Sequence, residues 1–91
     1  MKEAYDIEVF GKVQGVFYRA FAQKKAHELN LTGYVMNRYD GSVFIHAEGE
    51  WDRLQQFLDW CQVGSPKSDV KKVEYKKSEI KNFKNFEIRR I

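Results

Sequence analysis

Two short stretches carry apolar residues three and four apart, and each lies between runs that alternate in twos. That change of period leaves a 91-residue chain few ways to fold. From Tyr5 to Gly11, Tyr5, Ile7 and Val9 alternate with Asp6 and Glu8, the pattern of a half-buried strand. From Tyr18 the period lengthens. Tyr18, Phe21, Ala22, Ala26 and Leu29 share one helix face, with Gln23, Lys24, His27 and Glu28 opposite. Asn30 suits a left-handed end to this helix, with Leu31 folding back. Residues 32–38 and 42–48 are β-rich runs joined through Asp40-Gly41, a strong hairpin signal.

A second helix is predicted over residues 50–62, its stripe formed by Trp51, Leu54, Phe57, Leu58 and Cys61. Gly64 and Pro66 stop it. Residues 70–77 alternate weakly through Val73 and Tyr75, and residues 86–91 form a short last strand. The order β-α-β-β-α-β plus a terminal strand predicts an α+β, ferredoxin-like two-layer sandwich with an antiparallel sheet. Such a chain holds one domain over residues 1–91, and its 43% hydrophobic content supplies a single core.

Composition narrows the function classes. The charged start, Met1 to Asp6, gives no sign of a signal peptide, and no apolar run approaches the ~20 residues of a membrane helix. A single cysteine, Cys61, excludes an internal disulfide, so a cytoplasmic setting is expected. The absence of heptads points to a monomer. Residues 1–63 carry seven Lys/Arg against nine Asp/Glu, net −2; residues 64–91 carry nine against four, net +5. A basic end attracts anions, but a lysine-rich surface on late strands explains it as well.

The chemistry concentrates in Gly11-Lys12-Val13-Gln14-Gly15-Val16-Phe17-Tyr18-Arg19, where a strand runs through a glycine-containing loop into a helix. The loop Gln14, Gly15, Val16, Phe17 and Tyr18 can aim backbone N–H groups at phosphate oxygens. Arg19 then adds a permanent charge and a planar fork of donors. A cation is unfavourable at a helix N-terminus unless an anion joins it. Asn37 sits late in the second strand, before the hairpin, where asparagine either prepares the turn or has a task of its own. His27 and His46 have no partner at ligand spacing, so no metal site is expected. Cys61 lies on an apolar stripe and reads as core.

The Gly11–Arg19 segment resembles the signature of the acylphosphatase family. Gly33-Tyr34-Val35-Met36-Asn37-Arg38-Tyr39-Asp40-Gly41-Ser42-Val43 resembles its second motif, and Gly64-Ser65-Pro66 a weaker third. The resemblance spans nearly the whole chain and implies the same sandwich fold. It implies a small free-standing enzyme that hydrolyses acyl phosphates to carboxylate and inorganic phosphate, with no cofactor or metal. Phosphate would be held by residues 14–19, and Asn37 would position the attacking water. Inorganic phosphate would be both product and competitive inhibitor. The resemblance further implies that small substrates leave the acyl group largely uncontacted, so that the motif reads phosphate and not acid.

Two other readings are weighed. A non-catalytic anion- or nucleic-acid-binding module would use sheet aromatics such as Phe44 and the basic end. However, Ser42-Val43-Phe44-Ile45-His46-Ala47 lacks the basic and aromatic run that RNA-binding sheets carry, so nucleic acid is disfavoured. A domain of a larger maturation enzyme is disfavoured because no zinc-finger cysteines accompany it.

Overall fold

The computed structural model describes residues 1–90. Its elements are β1 (Lys2–Lys12), α1 (Tyr18–Glu28), β2 (Thr32–Asn37), β3 (Val43–Glu50), α2 (Trp51–Val63), β4 (Asp69–Ser78) and β5 (Phe86–Arg89). The strands form one sheet in the order β4-β1-β3-β2-β5. β1, β3, β2 and β4 pair antiparallel, as expected. The terminal strand departs from the all-antiparallel expectation. β5 lies parallel to β2, with Val35 opposite Ile88, so the sheet is mixed. The end of the expected last strand, Ile91, lies outside the described residues.

Both helices cover one face of the sheet. Ile7, Val9, Val35, Val43, Ile45 and Ala47 point from the strands into the core. Ala22, Ala26, Leu54 and Phe57 meet them from the helices. Small alanines on α1 let its backbone approach the sheet closely. Gly33 serves close approach between strands, since a Cβ there would lie 1.8 Å from the carbonyl oxygen of His46. Two residues of the expected stripes are less buried than the spacing suggests. Phe21 is 39% exposed and Trp51 51% exposed. Trp51 begins α2 directly after the last residue of β3, so its first turn leaves the sheet before the core is reached.

The helix ends follow the local sequence. Asn30 takes a left-handed φ of 57°. The N–H of Leu31 returns to the carbonyl of Ala26 and that of Asn30 to His27, pairing the last carbonyls of α1. At the β2–β3 turn, the Ser42 hydroxyl and amide both donate to Asp40, which holds that carboxyl below its ordinary pKa.

The opposite face of the sheet carries a buried polar chain. His46 was expected to lack partners, yet its Nδ1 lies 2.7 Å from Asp6 and its Nε2 2.8 Å from Glu48. The strand register explains this, because Asp6 of β1 lies directly opposite His46. Among the described residues, no group of three or more His, Cys, Asp and Glu is placed to hold a metal ion. Glu48 also accepts the backbone N–H groups of Lys81 and Phe83. It thereby fastens the segment before β5 across the sheet. Phe83 then packs on Tyr34 and His46, and the Arg89 guanidinium sits 4.0 Å above the Tyr34 ring.

Burial would raise the pKa of Glu48, but its hydrogen bonds from His46, Lys81 and Phe83 prevail and hold it below the usual carboxylate value. A depressed folded pKa adds stability above the unfolded value of about 4.3, and that stability is lost as pH falls through the folded value. We therefore expect Glu48→Gln to lower Tm at pH 7 and the gap from wild type to close toward pH 3. A thermal-melt series across that range checks this, and a gap that stays constant would contradict it.

Candidate active site

The loop between β1 and α1 is built to leave its amides unused. Gly15 has a φ of 73°, a left-handed turn that a glycine makes without strain. Its missing side chain faces open space, so conformation rather than room requires the glycine. The loop is then clamped from two sides. The Gln14 side-chain amide donates to the carbonyls of Arg38 and Ser42, at 2.7 and 2.8 Å, across the β2–β3 turn. The buried Ser65 hydroxyl donates to the Val16 carbonyl at 2.7 Å. Ser65 lies between Gly64 and Pro66, which the sequence reading used only to stop the second helix and as a weaker motif. Among the described residues, no hydrogen bond outside the regular elements takes an N–H of residues 15–19 as donor. Those groups are the open donors of a helix start.

Tyr18 anchors the helix from below. Its ring is buried against Trp60, and its hydroxyl donates to the Cys61 carbonyl at 2.9 Å. Burial pushes the Tyr18 hydroxyl far above its ordinary pKa, so it does not titrate near neutrality. Burial pushes the Cys61 thiol up to about 12, and the thiol is packed as core. Neither group is an available acid, base or nucleophile.

One cavity, about 290 Å³, opens over the start of α1. Gly15, Phe17, Tyr18, Arg19 and Asn37 all line it. Arg19 occupies the first turn of a helix that has no acidic residue there. Its only hydrogen bond among the described residues is a long one, 3.5 Å, to the Arg89 carbonyl, and it has no carboxylate partner there. Asn37 ends β2 on the helix-facing side of the sheet. Its Oδ1 is buried with no hydrogen-bond partner among the described residues. An unpaired buried polar atom costs about 1–3 kcal/mol, so the fold leaves this group uncommitted at some expense. The last torsion of asparagine is broad, and a turn about it presents either end of the amide to the cavity.

The other members of the expected loop behave differently. Gln14 and Val16 do not line the cavity. The Gln14 side chain is committed to the hairpin and the Val16 side chain to the core. Their place is to hold the loop against the strand that carries Asn37. Arg38, one residue after Asn37 and so on the opposite face, pairs with Glu8 and lies over Phe44. Among the lining residues that sequence reasoning missed are Ile88 and Arg90. They arrive there because β5 pairs with β2 beside Asn37, a long-range pairing that no local pattern announces.

These features define a ferredoxin-like α+β sandwich with a cationic cavity at the start of its first helix. A family model described as Acylphosphatase matches residues 5–88. An acylphosphatase of Archaeoglobus fulgidus is 46% identical over 85 residues, covering 93% of this chain and 96% of its own. Solved acylphosphatases from Coxiella burnetii and Bacillus subtilis share 36% and 40% identity, with TM-scores of 0.94 and 0.92. Each covers 97% of this chain, at 93% and 98% of its own length. The chain belongs to the acylphosphatase family, hydrolases that act on acid anhydrides. No helix of the described residues is long and apolar enough to cross a membrane.

The two clamps give a direct test. Gln14→Ala removes two hydrogen bonds, and Ser65→Ala leaves the buried Val16 carbonyl unpaired. Each change should cost about 1–2 kcal/mol. In a domain this size that lowers Tm by about 5–15 °C, which calorimetry would register.

Proposed function

We propose that this enzyme hydrolyses the carboxyl-phosphate bond of small acyl phosphates, holding the phosphate with the 15–19 amides and Arg19 and positioning water with Asn37. The observation that carries the reading is the meeting, among the described residues, of an arginine without a carboxylate partner, open N–H donors and an uncommitted asparagine in one cavity. Acyl phosphates carry negative charge on the terminal oxygens. Their hydrolysis is largely a matter of positioning and charge. Backbone amides at a helix start and a guanidinium fork supply both, pre-aligned. They neutralise the phosphate without requiring a metal ion.

The Asn37 amide holds a water in line with the leaving carboxylate, using one acceptor and two donors. Carboxylate is a good leaving group, so strong acid catalysis is unnecessary. Among the described residues, none that lines the cavity is a carboxylate or a histidine. Arg19 does not titrate near neutrality and Asn37 does not titrate at all. The water's proton therefore passes to a phosphate oxygen of the substrate. Water attacks phosphorus, the bridging P–O bond breaks, and the electron pair leaves with the carboxylate. No phosphoenzyme forms. Inorganic phosphate, the product, competes for the same cradle.

Phosphate release from acetyl phosphate in excess chelator tests the reading. Turnover should persist. Asn37→Ala should lower kcat by about 10²–10³-fold with KM less affected, while Arg19→Ala should damage both. Near-normal turnover in Asn37→Ala would remove that residue from the mechanism. A trapped covalent phosphoenzyme would overturn the direct attack. A folded wild-type protein that binds phosphate but hydrolyses nothing would favour an anion-binding module.

A further inference from the structure

We infer that Phe17 forms an acyl-group subsite at the mouth of the cavity, with Ile88 as its second wall, and that it biases the enzyme toward acyl phosphates with aromatic or bulky apolar acyl groups. The inference rests on the phosphate site proposed above. Phe17 carries two independent penalties that packing does not explain. Its backbone lies in the left-handed region, φ 62° and ψ 23°, which is unfavourable for a bulky side chain. Its ring is 71% exposed, so little of its apolar surface is buried in return. A glycine would satisfy this turn without either penalty.

The position of the ring supplies a reason. Phe17 is the N-cap of α1, directly before the open amides, and it lines the same cavity as Arg19 and Asn37. Ile88 of β5 lines that cavity as well and is 37% exposed. In an acyl phosphate the carbonyl carbon is one bridging oxygen from phosphorus. With phosphate on the amides, the acyl group must project toward the mouth, where these two apolar side chains stand. A methyl group covers little of that surface. A phenyl ring stacks on Phe17 and removes apolar area on both sides from water. Family resemblance implied an uncontacted acyl group, and this pair departs from that expectation.

The test compares benzoyl phosphate with acetyl phosphate in wild type, Phe17→Gly and Phe17→Tyr. In Phe17→Gly the ratio of kcat/KM values, benzoyl over acetyl, should fall about tenfold, carried mainly by KM for benzoyl phosphate. Phe17→Tyr should retain the ratio. The Tm of Phe17→Gly should not fall, because glycine relieves the left-handed turn, whereas a merely structural phenylalanine would lower Tm and leave the ratio alone. Should Phe17→Gly turn over neither substrate, calorimetric affinities for benzylphosphonate and methylphosphonate give the same comparison without chemistry. A ratio unchanged in Phe17→Gly by either measurement overturns the subsite. Wild type that hydrolyses neither substrate overturns the proposed function instead, and benzylphosphonate binding no tighter than methylphosphonate would then overturn the subsite too.

Discussion

The two hydrogen bonds from the Gln14 amide to the Arg38 and Ser42 carbonyls hold the site together. They span segments 24 and 28 residues apart in sequence, the loop that starts α1 and the turn that follows Asn37. Without this tie the arginine and the asparagine would belong to two independently moving pieces. With it, and with Ser65 holding Val16 from the other side, the loop has no freedom to turn its amides inward. The proposed catalysis by preorganised donors would draw on this arrangement, because donors that must reorganise during a reaction lose most of their advantage. The rigidity is supplied by side chains that never touch the cavity.

The rest of the fold is arranged around that tie. The β2–β3 register sets where Asn37 emerges, opposite Val43 at the end of the hairpin. The Tyr18 hydroxyl fixes the first turn of α1 to the last turn of α2, so the helix start sits at a defined height above the sheet. Glu48, on the far side of the sheet, fastens the chain before β5 and thereby brings Ile88 and Arg90 to the cavity. Both faces of the sheet thus take part. One supplies the core and the cavity at the start of α1, and the other anchors the strand that completes the cavity wall.

How much of this was legible in the sequence depends on the range of the interaction. Periodicity located the helices and most strands, because the 3.6- and 2-residue patterns are local. Asn30 and Asp40-Gly41 announced their turns for the same reason. Arg19 and Asn37 were singled out by residue type at an unusual position, and the cavity contains both. What sequence could not supply was partnership across the sheet. His46 seemed isolated because Asp6 becomes its neighbour only when β1 is set in register with β3. Gln14 belongs to the loop expected to hold phosphate, yet its side chain points to a turn far along the chain. Ile88 and Arg90 were overlooked because a four-residue strand gives no sign of which edge it will join.

The edges of the sheet give the basic end of the chain a physical purpose. β4 is an outer strand, and Lys71, Lys72, Lys76 and Lys77 all lie on it, exposed. An unpaired strand edge is a template for adding another chain, and closely spaced ammonium groups are among the strongest deterrents to that addition. A second copy approaching edge to edge would have to bring like charges together and desolvate them. The lysines that residues 64–91 place on this edge thus oppose fibril-like association of one copy with another.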